Sequence, residues 1–374
     1  MPAFVAHLVG AARPNFMKIA PVYHALKKEP WCNVQIVHTG QHYDTNMSDA
    51  FFEDLSLPEP HFHLGVGSGT HAEQTAGVML AYERVCLEQR PDWIVVVGDV
   101  NSTVACALVG AKLIIPVAHL EAGLRSRDRT MPEEINRIVT DAIADLLWTP
   151  SPDANENLLN EGVQPQKIER VGNIMIDSFE LLRDKIERDT TRAQLAPNGS
   201  EYGVLTLHRP ANVDDRGTLQ ALVAEIRRAA RRVPLVFSVH PRTEKRLSEF
   251  GLLQDSKKNH GLRLVKPLGY IQFMNLVCGA RLVVTDSGGI QEETTYLDIP
   301  CLTLRDTTER PITITQGSNR LVTAKTLVGN VEEILARRWP RSKCPELWDG
   351  QAAPRVAASL RRRLGGYHAI KQAM

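Results

Sequence analysis

Residues capable of acid–base or anion-binding chemistry follow nearly every apolar run in this sequence of 374 residues. They are Arg13, Lys18, Asp99, Glu121, Glu133 and Arg137 in the first half, and His208, His240, Ser287, Glu293 and Arg310 in the second. The carboxyl ends of parallel strands meet at one edge of a sheet, and ligands of open α/β proteins bind there. The spacing therefore predicts a polar site to which the first half contributes carboxylates and the second contributes imidazoles and cations.

Each of these residues also has a purely structural interpretation. An aspartate after a strand, such as Asp99, commonly caps a helix or completes a turn. Glu133 could complement a helix dipole, His208 could be a hydrogen-bonded structural residue, and Arg310 could form a surface ion pair. The functional interpretation is favoured because charged groups or imidazoles follow so many strands on the same side.

The segment TDSGGIQEE (285–293) indicates the kind of ligand. Ser287, Gly288 and Gly289 stand where a strand gives way to a helix, and the glycines allow the backbone to approach a diphosphate at the helix N-terminus. Glu293, one turn further on, would repel phosphate but can accept hydrogen bonds from ribose hydroxyls. We therefore expect a nucleoside diphosphate, with Arg13 and Arg310 neutralising its charge.

The elements that must position these residues follow a βαβ rhythm. Short apolar runs alternate with longer amphipathic segments, which is typical of doubly wound parallel sheets. The runs predicted as strands are 4–10, 34–39, 92–98, 115–120 and 146–150, then 203–208, 234–240, 262–267, 280–286 and 300–304. Because the chain is too long for one ordinary core, we expect two Rossmann-like domains, residues 1–170 and 171–354, and a basic helix over 355–374.

Composition excludes several classes of protein. A net charge of +1 gives no overall field for nucleic acid or for a membrane surface. No apolar run approaches the roughly 20 residues that span a bilayer. The six cysteines are scattered without a CxxC pair, which indicates reduced thiols in a cytoplasmic protein. The HFH segment (61–63) lacks evident partner ligands, so we expect no metal site.

Eight motifs in one order resemble those of the non-hydrolysing UDP-N-acetylglucosamine 2-epimerases, over residues from about Gly10 to Val322. They are ARPNFMKIAPV, TGQHYD, VVGDVNSTVACALVGAKLIIPVAHLEAGLRS, MPEEINR, LTLHRPANVD, HPRT, TDSGGIQEE and RDTTERP. The resemblance implies the GT-B architecture, in which two Rossmann-like domains face one cleft and a final helix crosses back to the first domain. It also implies a homodimer, no cofactor, a UDP-sugar substrate and a place in polysaccharide biosynthesis.

The family interconverts UDP-N-acetylglucosamine and UDP-N-acetylmannosamine by eliminating UDP to a 2-acetamidoglucal and adding it back. By resemblance, Asp99, Glu121 and Glu133 match the family's catalytic acids, and His208 matches a histidine near the diphosphate. Positions linked to binding of UDP or sugar are matched by Arg13, Lys18, Arg137, His240, Ser287, Gly288, Gly289, Glu293 and Arg310. Which carboxylate removes the C2 proton stays open.

Two departures and three alternatives qualify this expectation. The family's HRRE is HRPA here, and the arginine of its QHREM segment is missing from QHYDTNM (41–47), which argues against regulation by a second substrate molecule. Epimerases of UDP-2,3-diacetamido glucuronic acid share TGQHYD and are the alternative within the class. A GT-B glycosyltransferase or a non-catalytic nucleotide-sugar sensor would have no use for three acids around C2.

Overall fold

Two parallel β-sheets form the framework of the protein. The computed structural model describes residues 4–40, 52–196, 201–253, 261–340 and 342–373. Its chain divides into two compact units: unit 1 comprises residues 1–181 and 346–374, and unit 2 comprises residues 182–345. Each unit has its own sheet and helices, as the βαβ rhythm predicts. No helix among the described residues combines the length and apolar content needed to cross a bilayer.

The sheet of unit 1 has seven strands in the order β3-β2-β1-β4-β5-β6-β7, and every pairing in it is parallel. The strands are β1 Phe4–Gly10, β2 Cys32–His38, β3 Phe62–His63, β4 Trp93–Val97, β5 Val117–Leu120, β6 Leu146–Thr149 and β7 Ile168–Arg170. All five predicted strands of the first half are confirmed. Their near-continuous apolar runs reflect burial on both faces, as in other parallel sheets covered by crossover helices.

The helices of unit 1 follow the strands in alternation. They span Arg13–Lys27, His71–Glu88, Asn101–Lys112, Pro132–Ile143, Pro152–Asn160 and Ala352–Ala373, with a short 3-10 turn at Pro165–Lys167. The helix Ile174–Arg188 begins in unit 1 and ends in unit 2. The helix His71–Glu88 begins with a capping box, in which Thr70 Oγ1 accepts from the Glu73 N–H and the Glu73 carboxylate accepts from the Thr70 N–H.

The helix Ala352–Ala373 packs against unit 1, as the fold class predicts. It contacts the helix Arg13–Lys27, and the indole N–H of Trp148 donates to Ser359 Oγ at 2.9 Å. The division between the units falls after residue 181, later than the expected boundary near 170. The helix Ile174–Arg188 explains the difference, because Ser178 donates to the carbonyl of Met17 at 2.7 Å and so holds the start of that helix on unit 1.

The sheet of unit 2 has six strands in the order β10-β9-β8-β11-β12-β13, again all parallel. They are β8 Gly203–Thr206, β9 Leu235–Ser238, β10 Leu262–Val265, β11 Leu282–Thr285, β12 Cys301–Thr303 and β13 Asn319–Leu321. Its helices span Thr191–Leu195, Pro210–Val213, Arg216–Ala230, Pro241–Glu249, Tyr270–Val277, Gly289–Tyr296, Ile312–Thr315 and Ala324–Leu335. The five predicted strands of the second half are confirmed.

Each unit has its own apolar core beside its sheet. In unit 1, Ile94 and Val96 of β4 are buried together with Val109 and Leu147. In unit 2, Leu205, Leu282 and Leu302 from three neighbouring strands are buried with side chains of the helices Arg216–Ala230 and Ala324–Leu335. These cores fix the strands, and the carboxyl ends of the strands then set the positions of the polar residues.

Candidate functional site

In unit 1, Glu121 follows β5 with an unusual backbone. Its φ of 71° lies in the left-handed region, which is rare for a residue with a side chain and is found disproportionately at functional sites. The carboxylate is almost fully buried and forms an ion pair with the ammonium of Lys18, which comes from the helix after β1. The structure therefore brings together two residues that the sequence placed in the site.

Gly98, which follows β4, leaves room for this ion pair. A Cβ added there would lie 3.3 Å from Lys18 Nζ and 3.4 Å from Glu121 Oε2. The backbone at Gly98 also has a positive φ of 67°, which a residue with a side chain adopts only at a cost. Glycine thus brings the end of β4, and the Asp99 that follows it, close to the Lys18–Glu121 pair.

Asp99 is held by Arg137. The guanidinium donates to Asp99 Oδ2 at 2.5 Å and to the buried Glu134 carboxylate at 2.6 and 3.0 Å. Glu134 in turn accepts from the backbone N–H groups of Ser126 and Arg127. The Asp99 side chain keeps 35% of its surface exposed, whereas that of Arg137 keeps 3%. Arg137, expected to bind ligand, therefore orients an acid that reaches solvent.

Glu133 and Arg13 are accessible in unit 1. Glu133 stands in the first turn of the helix Pro132–Ile143 and is half-buried. Within the described residues its carboxylate makes no hydrogen bond or ion pair. Arg13 is exposed at the first residue of its helix. The adjacent Glu134 is buried. Of the two glutamates in the MPEE motif, Glu134 therefore has a structural role, and Glu133 is the accessible one.

In unit 2, Asp286 orients His208. The imidazole Nδ1 lies 2.9 Å from Asp286 Oδ1, and Asp286 also accepts from the backbone N–H groups of His208 and Arg209 and from the side chain of Asn212. Burial alone would raise the pKa of Asp286, but these donors hold it below its ordinary value. A carboxylate on one ring nitrogen fixes the ring and leaves the other to act.

His240 lies beside His208, with ring centroids 5.6 Å apart. It caps the helix Pro241–Glu249, and its Nδ1 accepts from the Arg242 backbone N–H at 3.2 Å. Burial, together with the neighbouring His208, lowers the pKa of His240. The structure therefore places the two predicted histidines side by side, just after the ends of β8 and β9.

The two glycines of the SGG turn have different surroundings. A Cβ at Gly288 would lie 2.7 Å from Glu309 Oε1 and 2.8 Å from Arg310 Nη1, whereas nothing lies within 4 Å of a Cβ at Gly289. Gly288 is thus needed for packing within the protein. Only at Gly289 does open space fit the expected approach of a ligand to the backbone.

Arg310 is held between two carboxylates. Its guanidinium lies 2.8 Å from Glu292 and 2.5 Å from Glu309, and Arg305 contacts Glu309 at 2.8 Å. Burial would raise the pKa of Glu309, but the two guanidinium groups hold it far below its ordinary range. Two cations and two anions balance one another here, so Arg310 is fixed in place by its partners rather than being an uncompensated positive charge.

Glu293 is buried and accepts a hydrogen bond from the Tyr270 hydroxyl at 2.6 Å. Burial raises the pKa of Glu293 to about 7; the bond from Tyr270 acts in the opposite direction, and the neighbouring Glu292 adds to the rise. Glu293 therefore changes its charge near neutral pH. Its partner Tyr270 begins a helix soon after the predicted strand 262–267, but it was not selected because an uncharged tyrosine gives no signal for acid–base or anion-binding chemistry.

The sequence of this chain matches a known enzyme family. The sequence profile described as "UDP-N-acetylglucosamine 2-epimerase" matches residues 24–361. The chain belongs to the UDP-N-acetylglucosamine 2-epimerase family. Membership confirms the resemblance that the motifs indicated. It also confirms the predicted enzyme class, because the epimerases are isomerases.

Individual members of the epimerase family are similar over most of their length. A UDP-N-acetylglucosamine 2-epimerase of Methanocaldococcus jannaschii is 45% identical, with 84% of this chain and 87% of the relative covered. A crystal structure of the M. jannaschii UDP-GlcNAc 2-epimerase with UDP-GlcNAc and UDP has a TM-score of 0.87 at 42% identity, covering 96% of this chain and 100% of that one. A UDP-2,3-diacetamido-2,3-dideoxy-D-glucuronate 2-epimerase of Pseudomonas aeruginosa is 40% identical, covering 84% and 86%.

The similarity to the M. jannaschii epimerase structure confirms the predicted GT-B class of fold. Sequence reasoning missed the residues that position those of the site, namely Glu134, Asp286, Tyr270 and Glu292. Asp286 directly follows β11, so its place was a usable signal, whereas Glu134 and Glu292 each stand beside a glutamate that was chosen instead. The QHYDTNM segment, on which the expectation about regulation depends, lies outside the described residues.

Proposed function

We propose that this epimerase-family protein interconverts UDP-N-acetylglucosamine and UDP-N-acetylmannosamine by inverting C2. The observation that carries the proposal is the group of carboxylates at the strand ends of unit 1, with Asp99 oriented by Arg137, Glu121 paired with Lys18, and Glu133 accessible. Inversion at a carbon needs a base for the departing proton and an acid for the returning one. Carboxylates held at fixed positions are suited to both tasks.

The chemistry explains why the nucleotide must leave during the reaction. The C2 proton of a sugar is barely acidic, but breaking the C1–O bond to UDP builds positive charge at C1 and acidifies it. A carboxylate takes that proton, a double bond forms between C1 and C2, and UDP carries away the bonding electron pair. Re-addition of UDP and delivery of a proton to the opposite face complete the inversion. No net oxidation occurs, so no redox cofactor is required.

The proposal assigns the departing diphosphate to unit 2. The backbone N–H of Gly289, at the start of the helix Gly289–Tyr296, is assigned to the phosphate oxygens. The Ser287 N–H already donates to Thr285 Oγ1 at 3.0 Å, so Ser287 is assigned to the diphosphate through its hydroxyl. His208, oriented by Asp286, stabilises charge that builds on the leaving group. Arg310, His240 and Arg13 are assigned to binding of the nucleotide, and Glu293 to the ribose hydroxyls.

Deuterium incorporation tests the proposal. UDP-N-acetylglucosamine is incubated alone with the protein in heavy water, and the expected product is UDP-N-acetylmannosamine with deuterium at C2. Asp99→Asn or Glu133→Gln should slow its formation by about 10²–10⁴-fold, the usual scale of general acid–base catalysis. An epimer without deuterium would contradict elimination. If the protein turned over UDP-2,3-diacetamido glucuronic acid but not UDP-N-acetylglucosamine, its substrate would be that of the P. aeruginosa relative instead.

The proposal extends to a homodimer that works in the cytoplasm and supplies polysaccharide biosynthesis, as the family resemblance implies. Unit 1 exposes Leu80 and Leu87 on one face of the helix His71–Glu88, at 60% and 67% of their surface. Ile114, which follows the next helix, is 72% exposed. Large apolar side chains exposed on one helix and just after the next favour a second copy of this chain as the partner that covers them.

A further inference from the structure

His119, on β5, lies fully buried between two hydrogen-bond acceptors. Its Nδ1 is 2.6 Å from Asp141 Oδ1, and its Nε2 is 2.8 Å from the carbonyl oxygen of Gly98. A neutral imidazole has one N–H group and can donate to only one of these oxygens. The other nitrogen would then direct its lone pair at an oxygen lone pair, an arrangement that costs energy in a buried environment.

The surroundings of Asp141 show which partner carries the extra proton. Its second oxygen, Oδ2, lies 3.0 Å from the Gly123 backbone N–H and 2.8 Å from the Arg125 guanidinium. Although burial would raise the pKa of Asp141, the facing His119 and Arg125 side chains and the Gly123 N–H together hold it below its ordinary value. Arg125 is in turn paired with Glu161 at 2.6 Å. Asp141 is therefore the carboxylate, and both nitrogens of His119 face hydrogen-bond acceptors.

The Gly98 carbonyl connects this buried network to the site. Gly98 is in contact range of the Lys18–Glu121 pair, and the next residue is Asp99. Its N–H donates to the carbonyl of Leu120 at 3.1 Å, so the ends of β4 and β5 are tied together from both sides of one residue. A change in orientation of the Gly98 peptide would move Asp99 directly and would crowd Lys18 and Glu121.

We propose that His119 is a positioning residue that carries both ring protons in the folded protein and, through the Gly98 carbonyl, holds Asp99 and the Lys18–Glu121 pair in the geometry that the proton transfers require. This rests on the proposed epimerase function. His119 touches no substrate in this scheme. It acts through a backbone peptide, and a displacement of about 1 Å at a reacting group can cost about 10²-fold in rate.

Two substitutions separate the two bonds of His119. The side-chain amide of His119→Gln can reach the place of Nε2 and donate to the Gly98 carbonyl, whereas that of His119→Asn can replace Nδ1 and donate to Asp141. The proposal expects His119→Gln to keep at least tenfold more kcat than His119→Asn. UDP affinity should be unchanged in both variants, because the residues assigned to the nucleotide in unit 2 are untouched.

Nitrogen NMR of ¹⁵N-histidine-labelled wild-type protein gives an independent measurement, with His119 identified by its loss in His119→Gln. Both ring nitrogens of His119 should show protonated shifts and bound protons at the pH of the assay. One unprotonated nitrogen, or a kcat for His119→Asn equal to or above that of His119→Gln, would overturn the proposal. Absence of wild-type turnover would instead contradict the proposed function, and the NMR result would still decide the protonation of His119.

Discussion

At the scale of single residues, the two glycines of the SGG turn distinguish packing from ligand binding. Gly289→Ala meets open space and removes helix-destabilising flexibility, so the free energy of unfolding should stay equal or rise by up to about 1 kcal/mol. UDP affinity should nevertheless fall at least tenfold, because the new methyl group occupies the approach to the backbone. Calorimetric titration of UDP, with thermal unfolding in parallel, measures both effects.

Gly288→Ala is the matched control for this prediction. Its methyl group would collide with Glu309 and Arg310, so the variant should lose stability as well as affinity. Unchanged UDP affinity in Gly289→Ala would show that the diphosphate does not bind at this helix N-terminus.

Glu293 makes stability depend on pH near neutrality. Its pKa is raised from 4.5 to about 7 in the folded protein, so the folded state binds this proton more tightly than the unfolded state does. The stabilising contribution is fully present below pH 4.5 and is lost as pH rises through 7. Glu293→Gln should therefore be more stable than wild type at pH 8, by an amount on the order of 3 kcal/mol, and similar to it at pH 4.5.

Chemical unfolding of wild type and Glu293→Gln at several pH values measures this difference. Tyr270→Phe serves as a second probe, since it removes the bond that opposes the rise and should move the titration of Glu293 to higher pH. A constant difference in unfolding free energy between pH 4.5 and 8 would show that Glu293 titrates outside this range.

At the scale of elements, Asp177 fastens the helix Ala352–Ala373 to unit 1. Its two carboxylate oxygens accept from the backbone N–H groups of Ala353 and Ala352 at 2.8 and 3.1 Å, across a long separation in sequence. Burial raises its pKa to about 6 despite these bonds. Asp177→Ala leaves two helix N-terminal donors without acceptors, and we expect a loss of about 1–2 kcal/mol in unfolding free energy.

Tryptophan fluorescence can follow the effect of Asp177→Ala, because Trp31, Trp93, Trp148 and Trp348 belong to unit 1 and only Trp339 belongs to unit 2. Asp184→Ala, an exposed position on the same helix, is the control and should leave the unfolding midpoint unchanged. Equal midpoints for both variants would mean that other contacts hold the helix.

The strands show what sequence patterns can and cannot predict. Long apolar runs identified every central strand, because burial on both faces requires such a run. The unpredicted strands β3 and β13 have two and three residues and lie at sheet edges. Such short edge strands pair on one side only and contain too few residues for periodicity to reveal them, whereas the longer edge strand β10 was predicted.

The same limit applies to the candidate site. Strand ends predicted the positions of Asp99 and Glu121 in unit 1 and of His208 in unit 2, since topology brings the carboxyl ends of parallel strands to one edge of each sheet. Partners depend on packing instead: Tyr270 reaches Glu293 from another helix, and Arg137 turns to Asp99 because Glu134 holds it. No local pattern encodes such pairs.

At the scale of the whole molecule, the proposed dimer makes a prediction about mass. Leu80→Glu combined with Leu87→Glu puts charges on the exposed apolar face of the helix His71–Glu88 and should convert a dimer to a monomer, measured by light scattering after size-exclusion chromatography. Leu159→Glu, on the helix Pro152–Asn160 and 47% exposed, is the control and should leave the mass unchanged. A wild-type protein with the mass of one chain would contradict the dimer.

The return of residues 346–373 to unit 1 has a consequence for synthesis on the ribosome. Unit 2 is encoded as one uninterrupted stretch and all its residues are available as soon as Pro345 has emerged. Unit 1 begins first but waits for the helix Ala352–Ala373, whose residues follow a few seconds later at roughly 5–20 residues per second. The nascent chain thus completes unit 2, to which the proposal assigns the nucleotide, before unit 1, and the part of the helix Arg13–Lys27 that contacts this last helix stays uncovered until then.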